Sequence, residues 1–91
     1  MNDTKVIEGI TESGFIYTIK QSSLENFELL DVLADIDENP LLLPKLLNML
    51  LDEGQKKALY DHVRLEDGTV PTSKIEKEII DIFTNRSELK N

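Results

Sequence analysis

The stretch ENPLLLPKLLNMLLDEG, residues 38 to 54, limits the folds open to this chain more than any other. Seven of the eleven positions from Leu41 to Leu51 are leucine and an eighth is methionine. Two prolines bracket its start. The residue before a proline is pushed out of the helical region, so Asp37-Glu38-Asn39-Pro40 closes whatever helix precedes it. An interior proline breaks the hydrogen-bond ladder, so a regular helix begins at or next to Pro44. Pro40 to Leu43 then forms an irregular or single-turn lead-in. Beyond it only Lys45 and Asn48 share a polar side, while Leu43, Leu46, Leu47, Met49, Leu50 and Leu51 cover about 200° of the helix. A surface helix shows a narrower apolar stripe, so this one needs cover on more than one side.

The segments around it supply candidates for that cover. Val6 to Ile10 and Phe15 to Ile19 are rich in β-formers and flank Thr11-Glu12-Ser13-Gly14, where Gly14 can take the positive φ of a short loop. The spacing predicts an antiparallel two-stranded hairpin over about residues 5–20, with Phe15, Tyr17 and Ile19 on one face and Ile16 and Thr18 on the other. Two strands alone are marginal in water, so the apolar face must lie on helices or on another copy.

Ser22-Ser23-Leu24-Glu25 reads as a capping box opening a helix over about 23–37. In that helix Glu28, Asp31 and Asp35 fall in one acidic stripe. Leu24, Phe27, Leu29, Leu30, Val32, Leu33, Ala34 and Ile36 fill most of the rest, which predicts burial on more than one side. The leucine helix is expected over about 44–52. Asp52 to Gln55 is a second capping box, opening a helix over about 53–66 that turns Leu59, Tyr60 and Val63 inward and Lys57, Asp61 and Arg64 outward. Gly68 supplies the left-handed turn beyond it. Ser73 and Glu76 form a third box for a helix over about 73–85 with Ile75, Ile79, Ile82 and Phe83 buried; residues 86–91 are polar and expected to fray. The fold class is therefore α+β and mostly α: an N-terminal two-stranded hairpin followed by about four helices, in a single domain over residues 1–91.

Composition bounds the function. At 91 residues roughly 60 to 65% of the unfolded chain's surface can be buried, so a monomeric core gives modest stability and a homo-oligomer is expected. With no cysteine there is neither a disulfide framework nor a thiolate zinc site, and a reducing cytoplasm is the simplest home. MNDTKVIEGI has no basic region followed by an apolar run, so no secretion signal is expected. The leucine run is shorter than the ~20 residues of a membrane span and is interrupted by polar residues and proline. A net charge of −8 repels phosphate, which disfavours direct contact with nucleic acid or an anionic membrane; the acid instead keeps a sticky protein soluble or faces a basic partner.

Constellations that carry chemistry are thin. His62 is the single histidine, flanks the Leu59 and Val63 face, and is assigned a packing or surface role. Asp35-Ile36-Asp37-Glu38-Asn39 starts like a calcium loop, but Pro40 stands where glycine is needed and Leu46 where glutamate is needed, so it reads as an acidic helix end. The glycines at 9, 14, 54 and 68 are scattered and cradle no phosphate. No catalytic, cofactor or metal residue is assigned, and the chain is not expected to be an enzyme. The leucine helix and the broad apolar face of the first helix remain. They form the monomer core, or part of their area is covered by a second copy or a hydrophobic client helix, and both can hold at once; Leu43, Leu46, Leu47, Leu50 and Leu51 are the candidate partner-binding residues.

At NPLLLPKLLNMLLDEGQKKALYDHVRLEDGTVP, and at the preceding GFIYTIKQSSLENFELLDVLADIDE, the chain resembles the small tail assembly chaperones of long-tailed bacteriophages infecting Gram-positive hosts. The resemblance covers roughly residues 6 to 83 and consists of hydrophobic pattern and turn phrases such as LPKLL, QKKALYDHVR and EDGTVP; no catalytic signature contributes to it. It implies an assembly factor of the host bacterial cytoplasm, absent from the mature virion, which coats the long helical tape measure protein while tail tube subunits polymerise around it. It also implies that many relatives have a longer product made by translational frameshifting; if this chain is a short form, residues 87–91 are where such an extension would attach. Two other classes compete. One is an acidic DNA mimic that inhibits a host factor, although lysines at 45, 56, 57, 74 and 77 interrupt its acids; the other is a small structural or connector protein of the tail.

Overall fold

The computed structural model describes residues 5–84, together with the backbone of residues 87–88. Strand β1 (Val6–Ile10) pairs antiparallel with β2 (Ile16–Lys20), Gly9 opposite Tyr17 and Ile7 opposite Ile19. The connecting turn closes through Gly14, whose φ of 98° is open to glycine without a Cβ clash, and its N–H donates to the Thr11 carbonyl. Strand alternation is as the sequence predicts: Phe15, Tyr17 and Ile19 are buried, and Ile16, Thr18 and Lys20 are exposed. A short third strand, β3 (Ser87–Glu88), adds to the other edge of β1, giving the order β2-β1-β3. Residues 87–88 are thus paired where fraying was expected; the rest of 86–91 lies outside the described residues.

The expected helix over 23–37 is two helices. A single turn, α1 (Gln21–Leu24), follows β2 directly, and the chain then leaves helical geometry at Asn26 before α2 (Phe27–Asp35). The physical reason is a competing cap. Asn26 sits in extended conformation and its Oδ1 accepts from the Glu28 N–H at 3.1 Å, an arrangement asparagine favours. Ser22 falls inside α1, and no side chain caps that turn.

After α2 the Asp35 carbonyl accepts from Glu38 and Asn39 in a turn, and Pro40–Leu42 forms the single 3-10 turn expected ahead of the leucine helix. Helix α3 (Leu43–Leu50) places Pro44 in its first turn, where the missing N–H breaks no ladder bond. It ends two residues short of the expected 52, because Leu51 is extended (φ −121°, ψ 146°) and Asp52 already caps the next helix. Asp52 Oδ1 accepts from the Gln55 N–H at 2.9 Å and opens α4 (Glu53–Val63). Helix α4 stops at Val63, before the expected 66, since Arg64 is extended and residues 65–69 close a turn in which Gly68 takes φ 93°. Helix α5 (Thr72–Thr84) begins one residue before Ser73. The Pro71 carbonyl accepts from Lys74 and Ile75, so Ser73 lies within the first turn and does not stand at its cap.

The buried apolar side chains form one cluster between the inner face of β2 and the helices. α2 contributes Leu29 and Val32, with Ile36 just beyond it; α4 contributes Leu59 and Val63; α5 contributes Ile75, Ile79 and Ile82. The leucine helix lies among them, packing against α1, α2 and α4. No helix among the described residues is long and apolar enough to cross a membrane.

Candidate functional site

All five candidate partner-binding leucines point into that cluster. Leu46 is 0% exposed, Leu47 2%, Leu43 and Leu50 4%, and Leu51 5%, so the leucine helix offers no preformed groove to another molecule. Of the two sequence readings of this helix, the fold takes the monomer core. Covering one leucine side chain is worth about 1.5–3 kcal/mol, so turning five of them outward would cost an amount comparable to a small domain's whole stability.

The surplus apolar area lies one element earlier. On α2 the residues opposite the buried Leu29 and Val32 are Phe27, Leu30 and Ala34, a stripe at the i, i+3, i+7 spacing of one helix face. Phe27 is 72% exposed and Leu30 45%; Leu41, in the 3-10 turn that packs against α2, is 85% exposed. The sequence reading buried α2 on more than one side. In the fold one side is buried, Leu24 and Leu33 pack at its margin, and the other side stands free.

A charge boundary runs along this stripe. Stepping 100° per residue puts Asp31, Asp35 and Glu28 on the shoulder beside Phe27, between the outward apolar stripe and the core-facing one. Residues 21–44 contain six carboxylates (Glu25, Glu28, Asp31, Asp35, Asp37, Glu38) and no Lys, Arg or His. This one segment therefore carries six of the eight excess negative charges of the chain. Among the described residues the ion pairs are Lys56–Glu53, Arg64–Asp61 and Lys77–Glu12, and none involves α2. Three of the acids, Asp35, Asp37 and Glu38, crowd the C-terminal end of α2, where the helix dipole favours cations and no basic side chain is present.

A second cluster lies where the hairpin tip meets α4 and α5. Ser13 Oγ donates to Glu78 Oε2 at 2.6 Å and lies 2.9 Å from His62 Nε2; since the hydroxyl proton goes to the carboxylate, the imidazole Nε2–H is the donor to Oγ. The His62 ring also packs tilted against Phe15, with centroids 5.7 Å apart. Three residues along α5, Asp81 accepts from the backbone N–H of Glu12 at 2.6 Å. Glu78 and Asp81 are both buried, and Glu78 Oε1 has no hydrogen-bond partner among the described residues. A cleft of about 360 Å3 beside them is lined by Ser13, His62, Arg64, Lys74, Lys77 and Glu78. A nucleophilic relay needs the histidine between serine and acid, so that the imidazole takes the proton and the carboxylate orients the ring. Here the serine stands in the middle. This arrangement clamps the hairpin tip onto α5 and differs from the serine–histidine–acid order of that relay.

Gln55 makes a comparable clamp at the sheet edge. It receives the Asp52 cap through its backbone, while its side-chain amide spans the outward backbone of Thr18, accepting from the N–H at 2.7 Å and donating to the carbonyl at 2.6 Å. The exposed edge of β2 is thereby blunted against pairing with another strand. Sequence reasoning found the cap and missed the long-range bond to Thr18, which no local pattern encodes. Among the described residues no group of three or more His, Asp or Glu side chains is placed to hold a metal ion. No family model, no curated protein and no solved structure matches the chain.

Proposed function

We propose that this chain is a non-enzymatic binding protein of the tail assembly chaperone kind, which shields an apolar helical segment of a client such as a phage tape measure protein. The observation that carries the reading is the outward face of α2 with Phe27 and Leu30 exposed, followed by the exposed Leu41 in the 3-10 turn, on an acidic segment. A Phe, a Leu and a further Leu within one helix and its following turn match helix-in-groove recognition better than scattered surface apolars do. The strong net charge supports the same role by keeping a coated client dispersed. The contact is assigned to α2 and the 3-10 turn, in place of the leucines of α3.

The magnitudes fit a transient coat. Covering each of the three partly exposed side chains contributes at most about 1.5–3 kcal/mol, against roughly 4–15 kcal/mol for the lost freedom of association. A single contact is therefore weak and readily released; many copies along a long client would hold it by avidity. Release is what an assembly factor needs when tube subunits replace it.

Co-expression with a tape measure protein tests the proposal. The client's soluble fraction should rise with the native chain and fall back with Phe27→Ser. An unchanged soluble fraction with the native chain counts against the role, and an equal rise with Phe27→Ser counts against this face as the contact. Sedimentation velocity of the same preparation tests the accompanying expectation of self-association.

A further inference from the structure

From the charge boundary on α2 we infer that the segment docking here is a basic amphipathic helix, with an apolar stripe for Phe27 and Leu30 and Lys or Arg along the flank that meets Glu28, Asp31 and Asp35. This rests on the helix-shielding reading of the same face and specifies what that face selects.

Three observations converge on a cationic flank. The acidic shoulder and the apolar stripe share one helix and are adjacent on it, so any helix covering the stripe brings its own edge to the carboxylates. Those carboxylates have no ion-pair partner among the described residues, and the surrounding residues 21–44 contain no cation to supply one. The crowded acids at the end of α2 add to the negative end of the helix dipole, a local arrangement that costs stability in the free chain and is relieved by an approaching positive charge.

The same charges disfavour an antiparallel α2–α2 pairing with a second copy of this chain. A two-fold contact places the same patch on both sides, and an antiparallel α2–α2 pair would set the acidic shoulder against itself across a desolvated interface. A neutral apolar helix would cover Phe27 but leave the shoulder unpaired as water is removed. A basic flank adds steering and orientation to a contact whose apolar area is small.

Two synthetic helical peptides with an identical leucine stripe, one flanked by lysine and the other by glutamate, are titrated against the native chain by fluorescence anisotropy. The lysine-flanked peptide should bind about tenfold more tightly at low salt, and most of that margin should disappear at about 0.5 M salt. The triple variant Glu28→Lys, Asp31→Lys, Asp35→Lys changes exposed positions and should reverse the preference, with circular dichroism verifying that α2 is retained. Equal binding of both peptides overturns the basic flank while leaving helix shielding intact. Binding of neither peptide overturns both readings. Concentration-dependent dimerisation that Phe27→Ser abolishes overturns the choice of a basic helix over a second copy.

Discussion

Helices α3 and α2 are both leucine-rich, and they end in opposite situations. Every large apolar residue of α3 is buried or packed against the core, whereas α2 hides Leu29 and Val32 and leaves Phe27 and Leu30 in solvent. The difference does not come from composition. It comes from position: α3 packs against α1, α2 and α4, while the face of α2 away from α3 carries exposed side chains. A broad apolar arc on a central helix completes a core, and the same arc on a peripheral helix leaves area for another molecule.

The largest expected effect separates the two helices by stability. Leu46→Ala and Leu47→Ala remove side chains with 0% and 2% exposure and should each cost about 2–5 kcal/mol, read as a lowered urea midpoint with an unchanged slope. A loss under about 1 kcal/mol would mean that α3 is not the centre of the core.

The next effect concerns how each helix starts. Asn26 caps α2 with its side chain, while Leu42, at the same position before α3, makes no side-chain cap. Asn26→Ala should therefore cost about 1 kcal/mol, within the usual range of lost caps, and should lower the protection of α2 amides in hydrogen exchange more than that of α3 amides. Equal loss in both helices would show that they open as one unit.

Smaller still is Phe27→Ser. Its ring is 72% exposed, so stability should change by no more than about 0.5 kcal/mol in the same urea experiment, while binding of the apolar helix is lost. A loss comparable to that of Leu46→Ala would place Phe27 inside the core and remove the contrast between the helices.

These contrasts were only partly legible in the sequence. The inward face of β2, the proline-defined start of α3, the Asp52 cap and the apolar sides of α4 and α5 all follow from periodicities of two and 3.6 and from local hydrogen-bond chemistry. The break at Asn26 was hidden because Ser22 offered an equally good capping phrase four residues earlier, and local patterns do not rank two caps. The outward face of α2 was hidden for a different reason: a helical projection shows how wide an apolar arc is, not how much of it has neighbours. The buried acids of α5 had a faint signal. Glu78 projects about 40° from Ile82, inside the apolar edge, but its partner Ser13 is contributed by a distant turn. The five leucines singled out from the sequence, Leu43, Leu46, Leu47, Leu50 and Leu51, are buried, and the exposed large apolar side chains of this region are Phe27, Leu30 and Leu41.

The smallest effect is expected in a loop that belongs to neither helix, and it provides the baseline for both. Asp67 Oδ1 accepts from the Thr69 backbone N–H at 3.0 Å and from its hydroxyl at 2.7 Å, and these bonds hold the carboxyl below the usual carboxylate range, the backbone bond most strongly. A carboxyl lowered by folding contributes stability that is present above its unfolded pKa and is lost as pH falls through the lowered folded value. Asp67→Asn removes the charge that those bonds favour. Its deficit relative to the native chain should be small at neutral pH and should vanish in strong acid, where Asp67 is itself uncharged. The offset of Phe27→Ser, which involves no ionisable group, should stay constant across the same series of urea midpoints. A constant deficit for Asp67→Asn would mean that Thr69 binds the neutral side chain as well as the charged one.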